Sequence, residues 1–201
     1  MLEREATLAR IVADADPEAF FISGLGFISR GLYAATPSLR ERCFYCMGSM
    51  GSVLPLALGI SLGQPDAAVF ALEGDGSLLM NLGALVTLRR YGSGGVRLIV
   101  FDNGCYESTG GQPSQPPDFR LEDICSASGL PTSVARHLEQ VSSFVRAPKL
   151  SCPAILVVKV RLSAPSPRIP DDPKLISERF STGLQSAIKN RTKATSQGKE
   201  C

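Results

Sequence analysis

The chain has 201 residues, of which 44 % are hydrophobic and 20 % charged, so it suits one globular domain of about 100–200 residues rather than a wholly disordered chain, a collagen or a coiled coil. No apolar run reaches the roughly 18 residues of a membrane span, and the charged N-terminus lacks an apolar signal core, so we expect a cytoplasmic protein without a membrane partner. The net charge of +2 comes from the last residues, which leaves the body of the chain without the basic field that nucleic acid requires.

Strands and helices alternate along the sequence. Apolar runs predict strands at residues 19–22, 44–47, 67–72, 96–101, 133–135 and 154–160. Helical spacing predicts helices at residues 2–12, 52–62, 78–90, 121–128, 138–145 and 174–188. This alternation predicts an α/β fold with a doubly wound, mostly parallel sheet and helices on both faces. We place the domain at residues 1–187 and expect the polar, basic tail at 188–201 to be disordered.

Glycine-rich or polar segments follow four consecutive strands of this prediction. They occupy residues 23–26, 48–51, 74–77 and 103–112. In parallel α/β sheets, ligands bind beyond the carboxyl ends of the strands. The last segment belongs to a long loop at residues 103–119, and loops of this length inside a compact domain are usually functional. The sequence therefore predicts a ligand site along one edge of the sheet.

The segment at residues 74–77, with the sequence GDGS, lies between a predicted buried strand and a predicted helix. Its glycines permit close approach of a ligand, and free N–H groups at a helix start favour a phosphate. The Asp75 carboxylate is a hard oxygen ligand that suits Mg²⁺. Asn103, 28 positions further on at the end of the next strand, offers a second oxygen. The pair predicts a Mg²⁺ ion shared with a diphosphate, and simple turns are the alternative.

The cysteines and the histidine do not indicate a further metal or catalytic site. Cys43 and Cys46 form a CxxC pair, but the other cysteines do not supply the second pair of a zinc site, so we expect reduced, structural thiols. The single histidine, His137, is expected at the surface. A dinucleotide-binding loop is disfavoured because Ser29 stands where the fingerprint requires its third small residue.

Residues 48–51, 73–77 and 102–113 together resemble the diphosphate-binding domain of thiamine-diphosphate enzymes, and more closely the phosphonopyruvate and sulfopyruvate decarboxylase subgroup. The most specific segment is ESTGGQP at residues 107–113, soon after Asn103. The resemblance covers residues 20–184. It implies the thiamine-diphosphate-binding fold, thiamine diphosphate and Mg²⁺ as cofactors, and lyase activity that decarboxylates a small 2-keto acid.

The resemblance also implies roles for individual residues. Mg²⁺ would be bound by Asp75, Asn103 and the backbone carbonyl of Cys105. The cofactor would be bound by eight residues, namely Gly48, Ser49, Met50, Gly74, Asp75, Gly76, Ser77 and Asn103. Met50 would be the bulky apolar residue beneath it. Four loop residues would close over the reacting centre and serve catalysis, namely Glu107, Ser108, Thr109 and Gln112.

Thiamine-diphosphate enzymes also need a pyrimidine-binding domain, typically about 150 residues long, which supplies an activating glutamate. No segment of that length precedes the first predicted strand, and no glutamate of the chain can be assigned to that role. The resemblance therefore implies one subunit of a split enzyme, inactive alone. A separate pyrimidine-binding subunit would complete the active site in a heterotetramer or a larger assembly.

One segment departs from the pattern of the subgroup. Where the subgroup has a polar run of the type GKTSR, this chain has GFISR at residues 26–30. Two polar residues that could meet an anionic substrate are replaced by Phe27 and Ile28, so an anionic three-carbon keto acid is not assured. Two alternatives also stay open. One is a carboligase subunit that joins a 2-keto acid to a second carbonyl compound, and the other is a non-catalytic scaffold with the same fold.

Overall fold

The computed structural model describes residues 1–197, with side chains to residue 189. The strands are β1 Phe20–Ser23, β2 Cys43–Tyr45, β3 Val69–Gly74, β4 Val96–Asp102, β5 Cys105–Tyr106, β6 Gln112–Pro113, β7 Thr132–Ala135 and β8 Ala154–Lys159. The α-helices are α1 Arg4–Asp14, α2 Phe27–Ala35, α3 Val53–Gly63, α4 Asp75–Leu79, α5 Gly83–Tyr91, α6 Leu121–Ala127, α7 Leu138–Arg146 and α8 Pro173–Gln197. In these residues no helix is both long and apolar enough to cross a membrane.

Six of the strands form one sheet in the order β2-β1-β3-β4-β8-β7, and every pair in it is parallel. The register aligns Ile22 with Ala71, and Ala71 in turn with Leu98. From β1 the chain first moves outward to β2 and then returns to place β3 on the other side of β1. This reversal opens a crevice at the carboxyl ends of β1 and β3, where open α/β sheets bind their ligands.

The central strands are covered on both faces because their side chains alternate in direction. In β4, Leu98 and Val100 belong to the core beneath α3, α5, α6 and α8, whereas Ile99 and Phe101 belong to the core beneath α1, α2 and α7. All seven residues of β4 are buried. Strands buried on both faces read as continuous apolar runs, which is the pattern that predicted them. The doubly wound α/β prediction is confirmed.

Helix α2 was not predicted from the sequence. Glycine inside a helix costs about 1 kcal/mol relative to alanine, so Gly31 in its middle weakens the local signal. A Cβ atom at Gly31 would lie 2.5 Å from the Leu8 side chain, so the glycine lets α1 pack closely on α2. Tertiary packing therefore outweighs the local preference.

Two other predictions are corrected in detail. The helix predicted at 78–90 is divided into α4 and α5. Between them the Met80 and Asn81 N–H groups donate to carbonyls only three residues back, and the Asn81 side chain donates to the Gly51 carbonyl. The loop at 103–119 is not wholly irregular, since β5 and β6 pair as a short antiparallel hairpin.

The C-terminal helix is longer than predicted. α8 continues to Gln197, so the tail that we expected to be disordered from residue 188 is helical over that span, and residues 198–201 lie outside the described residues.

Candidate functional site

A pocket of about 150 Å³ opens at the carboxyl edge of the sheet. Its lining comes from the segments that follow β1, β3 and β4, together with Met50, Val160 and Arg4. The pocket thus occupies the crevice that the strand order creates. This is the edge at which the glycine-rich segments predicted a ligand site.

Asp75 is the first residue of α4, and only 3 % of its surface is exposed. Its Oδ2 atom accepts hydrogen bonds from the Gly104 backbone N–H, at 2.9 Å, and from the Ser114 hydroxyl, at 2.6 Å. Burial raises the pKa of the Asp75 carboxyl. Because Gly104 directly follows Asn103, the bond to Gly104 holds the end of β3 against the turn after β4.

Asn103 is fixed at both ends of its amide. Its Oδ1 atom accepts a hydrogen bond from the Cys105 N–H at 3.0 Å, and its Nδ2 atom donates to Glu107 Oε2 at 3.0 Å. The amide oxygen therefore faces the same turn that contacts Asp75. The described residues contain no cluster of three or more His, Cys, Asp and Glu side chains for a metal. A metal held here would thus be bound by one carboxylate with amide and backbone oxygens, a hard donor set that suits Mg²⁺.

Hydrogen bonds also tie the loop after β2 to α4. The Gly51 N–H donates to the Ser77 hydroxyl oxygen at 2.8 Å, and the Asn81 amide donates to the Gly51 carbonyl at 2.8 Å. These bonds place Met50 in the pocket lining. Ser49, beside it, has a φ of +60°, the left-handed conformation that only glycine adopts readily. The loop after β2 is thus held in a defined shape at the edge of the pocket.

Gly76 lies against the ring of Tyr106. A Cβ atom at this position would lie 2.3 Å from Tyr106 Cε1, so a larger residue would displace the ring from the pocket wall. A Gly76→Ala substitution is expected to destabilise the fold by about 1–3 kcal/mol, as overpacking generally does. Urea unfolding measures the change. Gly83→Ala is the matched control, because nothing lies within 4 Å of its Cβ position, and an equal loss in both variants would contradict the assignment.

Glu73 is the one charged residue of β3 and is fully buried, at 0 % exposure. Neither oxygen of its carboxylate makes a hydrogen bond of full geometry among the residues that the structure describes, although the Ser77 side chain and the backbone N–H groups of Gly74 and Val53 lie close enough to lower its pKa. Its side chain lines the pocket, and a Cβ atom at Gly24 would lie 3.0 Å from its Oε1 atom. Burial raises the pKa of Glu73 to about 7. A fully buried carboxyl group thus lies at the pocket wall, and these neighbours offset only part of the cost of its burial.

Glu107 does not extend freely from the loop. Its Oε2 atom accepts hydrogen bonds from Asn103 and from Arg4 Nη1, the latter at 2.5 Å, and its Oε1 atom accepts from the Ser163 N–H at 3.0 Å. Arg4 and the Glu107 side chain are 3 % and 14 % exposed. This buried ion pair joins α1 to the loop after β4. Glu107 therefore holds Arg4 and Asn103 in place in the described conformation.

Ten of the residues assigned from the sequence line this one pocket, namely Met50, Gly74, Asp75, Gly76, Ser77, Asn103, Cys105, Glu107, Ser108 and Thr109. Three do not. Gly48 and Ser49 are exposed on the loop after β2, and Gln112 is exposed on β6, where its amide oxygen accepts a hydrogen bond from Thr109.

The sequence reasoning missed Arg4, Glu73 and Ser114. A charged residue that ends an apolar strand directly before GDGS was a usable signal for Glu73. No local pattern indicated Arg4, because it reaches the site from 103 residues away in the chain.

The family model described as "Thiamine pyrophosphate enzyme, C-terminal TPP binding domain" matches residues 29–143. The chain belongs to the thiamine pyrophosphate enzyme family. This confirms the resemblance that the GDGS segment and Asn103 indicated. Asp75 and Asn103 both lie within the matched range, whereas Arg4 lies before it.

Two curated relatives resemble this family member in different ways. It is 35 % identical over 191 residues to the sulfopyruvate decarboxylase subunit beta of Methanothermobacter thermautotrophicus, a match that covers 94 % of this chain and 100 % of the relative. It is 38 % identical over 126 residues to the phosphonopyruvate decarboxylase of Streptomyces hygroscopicus, covering 63 % of this chain but 31 % of that protein. The chain therefore corresponds to a whole β subunit and to about a third of the second relative.

Solved structures share the fold of this thiamine pyrophosphate enzyme domain. The thiamine diphosphate-dependent 4-hydroxybenzoylformate decarboxylase of Rhodococcus jostii RHA1 aligns with a TM-score of 0.68 at 22 % identity, covering 81 % of this chain and 33 % of that one. A putative thiamin diphosphate-dependent enzyme from Mycobacterium smegmatis aligns with a TM-score of 0.67 at 21 % identity, covering 81 % and 32 %. At these identities the likeness establishes the fold.

Proposed function

We propose that this chain is the thiamine diphosphate- and Mg²⁺-binding subunit of a split, cytoplasmic 2-keto acid decarboxylase. The observation that carries the proposal is the meeting of Asp75 and the Asn103 turn at the ends of adjacent parallel strands, linked by the hydrogen bond from Gly104 to Asp75. The likeness to a sulfopyruvate decarboxylase subunit beta over the whole of that subunit supports a decarboxylase that works with a second chain.

The residues present fit the cofactor and its metal. Asp75, the Asn103 amide oxygen and the Cys105 carbonyl would bind Mg²⁺, with Gly76 and Ser77 at the diphosphate. When bound, thiamine diphosphate would supply a nucleophilic carbon for the keto group and a cationic ring as the electron sink for the departure of carbon dioxide. The chain's own part is to hold the ion and the phosphates, and Met50 supports the cofactor from below.

The loop after β4 would act mainly by position. Glu107 holds the Asn103 amide with its nitrogen toward the carboxylate, and the amide oxygen, which accepts one hydrogen bond from the Cys105 N–H, would bind the metal through its second lone pair. Ser108 and Thr109 line the pocket beside it and are the loop side chains that would contact substrate. Gln112 is exposed on β6 in the described conformation, so its proposed contact requires the loop to close.

Exposed apolar side chains support a partner subunit. Met47 is 53 % exposed, Leu56 42 % and Met80 62 %, and they lie on the loop after β2, on α3 and directly after α4. Gly51 and Asn81 tie two of these segments together. Met47 and Met80 therefore lie on two joined surface segments, and exposed apolar patches commonly mark a protein interface. We propose that the pyrimidine-binding subunit, which supplies the activating glutamate, docks here to form a heterotetramer or a larger assembly.

Carbon dioxide release should appear only when both subunits are present. The experiment purifies this chain alone, its candidate partner alone and the co-expressed complex, each with thiamine diphosphate and Mg²⁺. A panel of 2-keto acids is then assayed for carbon dioxide and aldehyde. The physical reason is that a site at a subunit interface is incomplete in either chain.

Each other outcome of this assay contradicts the proposal in a distinct way. Turnover by the pure chain would refute the need for a partner. Carbon dioxide with an acyloin product in place of the aldehyde would identify a carboligase subunit. Absence of calorimetric cofactor binding in the complex would leave the non-catalytic scaffold.

A further inference from the structure

Apolar side chains form one wall of the pocket beside the proposed cofactor residues. Leu25, Phe27 and Ile28 line it from the segment after β1, and Phe101 and Val160 line it from the ends of β4 and β8. Ile28, Phe101 and Val160 are 9 %, 3 % and 2 % exposed. A wall of this kind stabilises an apolar group that leaves water and offers no hydrogen bond to a charged one.

Among the described residues, this chain contributes no uncommitted cationic side chain to the pocket lining. In the described part of the chain, Arg4 is the one basic side chain that lines it. Arg4 Nη1 donates to Glu107, its Nη2 donates to Glu5 at 3.0 Å and to the Ser163 carbonyl at 3.2 Å, and its Nε donates to Glu5 at 3.2 Å. All three guanidinium nitrogens are therefore bonded to protein. Two carboxylates already balance the Arg4 charge.

Apart from Arg4, the charge-bearing side chains of the lining are carboxyl groups. Glu73, Asp75 and Glu107 line the pocket with Arg4, which gives three carboxyl groups to one guanidinium. Arg30 approaches the Phe27 ring, with its guanidinium carbon 5.2 Å from the ring centre, but it is not part of the lining. A sulfonate or phosphonate placed against this wall would lose hydration without gaining a paired cation, which is costly.

We propose that the substrate is a 2-keto acid with an uncharged, apolar side chain, and that Phe27 and Ile28 form the wall that accepts this side chain. The inference rests on the proposed function and names its substrate class. It separates this chain from the sulfonated and phosphonated substrates that appear in the names of its relatives.

The first test compares substrates in the assembled complex. Phenylpyruvate, α-ketoisocaproate and α-ketobutyrate are assayed against sulfopyruvate and phosphonopyruvate by carbon dioxide release. At least one apolar acid is expected to have a kcat/KM at least about tenfold higher than either dianionic acid, which matches the one to two powers of ten that an apolar contact provides. A higher kcat/KM for sulfopyruvate or phosphonopyruvate would overturn the inference.

The second test measures ligand binding in the pocket without turnover. Phenylacetate, isovalerate and sulfoacetate, which lack a keto group, are titrated into the complex by calorimetry. The two apolar acids are expected to bind at least about tenfold more tightly than sulfoacetate. Tighter binding of sulfoacetate, or no binding of any of the three, would overturn the inference. Because this readout needs no carbon dioxide release, it separates failure of the substrate class from failure of the proposed function.

A matched pair of variants tests whether the apolar wall is responsible for the tighter binding of apolar acids. Phe27→Ala is expected to weaken phenylacetate binding by about tenfold, because the ring contact is lost. Leu150→Ala removes a partly exposed apolar side chain at the opposite edge of the sheet, near Gly94, and is expected to leave binding unchanged. Equal binding in the Phe27 variant and the wild type, with both folded by thermal unfolding, would refute the role of Phe27.

Discussion

An Asp75→Asn substitution is expected to lower the affinity for thiamine diphosphate in the presence of Mg²⁺ by at least about 100-fold. Residues that merely orient a metal ligand typically contribute about 10–100-fold to metal affinity. Loss of the charge of a ligand itself should therefore reach at least the upper end of that range. Activity of the complex should fall in parallel. Calorimetric titration of the cofactor, with and without Mg²⁺, measures the effect.

Stability separates loss of the metal ligand from loss of the fold. Burial raises the pKa of the Asp75 carboxyl, so its charge is unfavourable without a metal, and the neutral amide should keep the free protein at least as stable. Mg²⁺ with the cofactor should raise the thermal midpoint of the wild type and leave that of the variant unchanged. Asp123→Asn, on a side chain that is 62 % exposed, is the control. Unchanged cofactor affinity in the Asp75 variant would contradict the proposed metal site.

A Glu73→Gln substitution is expected to raise the free energy of unfolding at pH 8 by up to about 3 kcal/mol in metal-free protein. The pKa of Glu73 is about 7 in the fold, against an ordinary 4.5. At about 1.4 kcal/mol per pH unit, this difference corresponds to roughly 3 kcal/mol. The Ser77 side chain and the N–H groups of Gly74 and Val53 offset only part of the cost of burying the Glu73 charge, so its pKa stays raised.

The direction in which stability changes with pH follows from proton uptake by Glu73. Between pH 4.5 and about 7 the folded chain holds a proton on Glu73 that the unfolded chain has released, so stability falls as the pH rises through this window. Below it, this contribution is fully present, and above it the contribution is lost. Urea unfolding with a chelator at pH 5 and pH 8 should show the loss in the wild type and a smaller change in the variant.

An exposed glutamate provides the control for this measurement. Glu178, whose side chain is 63 % exposed in α8, should behave as the wild type when it is changed to glutamine. If Glu73→Gln loses as much stability between pH 5 and pH 8 as the wild type, the loss does not come from Glu73.

Much of the site could be predicted because its chemistry is local. Asp75 and Asn103 each directly follow a buried strand, and parallel strands bring their carboxyl ends to one edge. The spacing of GDGS and the asparagine therefore predicted that Asp75 and Asn103 lie close together. The hydrogen bond from the Gly104 N–H to Asp75 supports this prediction. Met50 was assigned from the family resemblance, and the structure places it in the lining at the same edge. The cofactor roles of these residues remain predictions.

The sequence by itself determined the fold class and the edge of the sheet that carries the site. Continuous apolar runs require strands covered on both faces, and the glycine-rich segments mark the strand ends. Tertiary structure alone decided which distant groups reach that edge. Arg4 bonds to Glu107, which lies 103 residues further along the chain. Gly31 lets α2 pack closely on α1, because the Leu8 side chain occupies the space that a Cβ atom would need. Such contacts depend on packing between elements, which local patterns of charge and hydropathy do not encode.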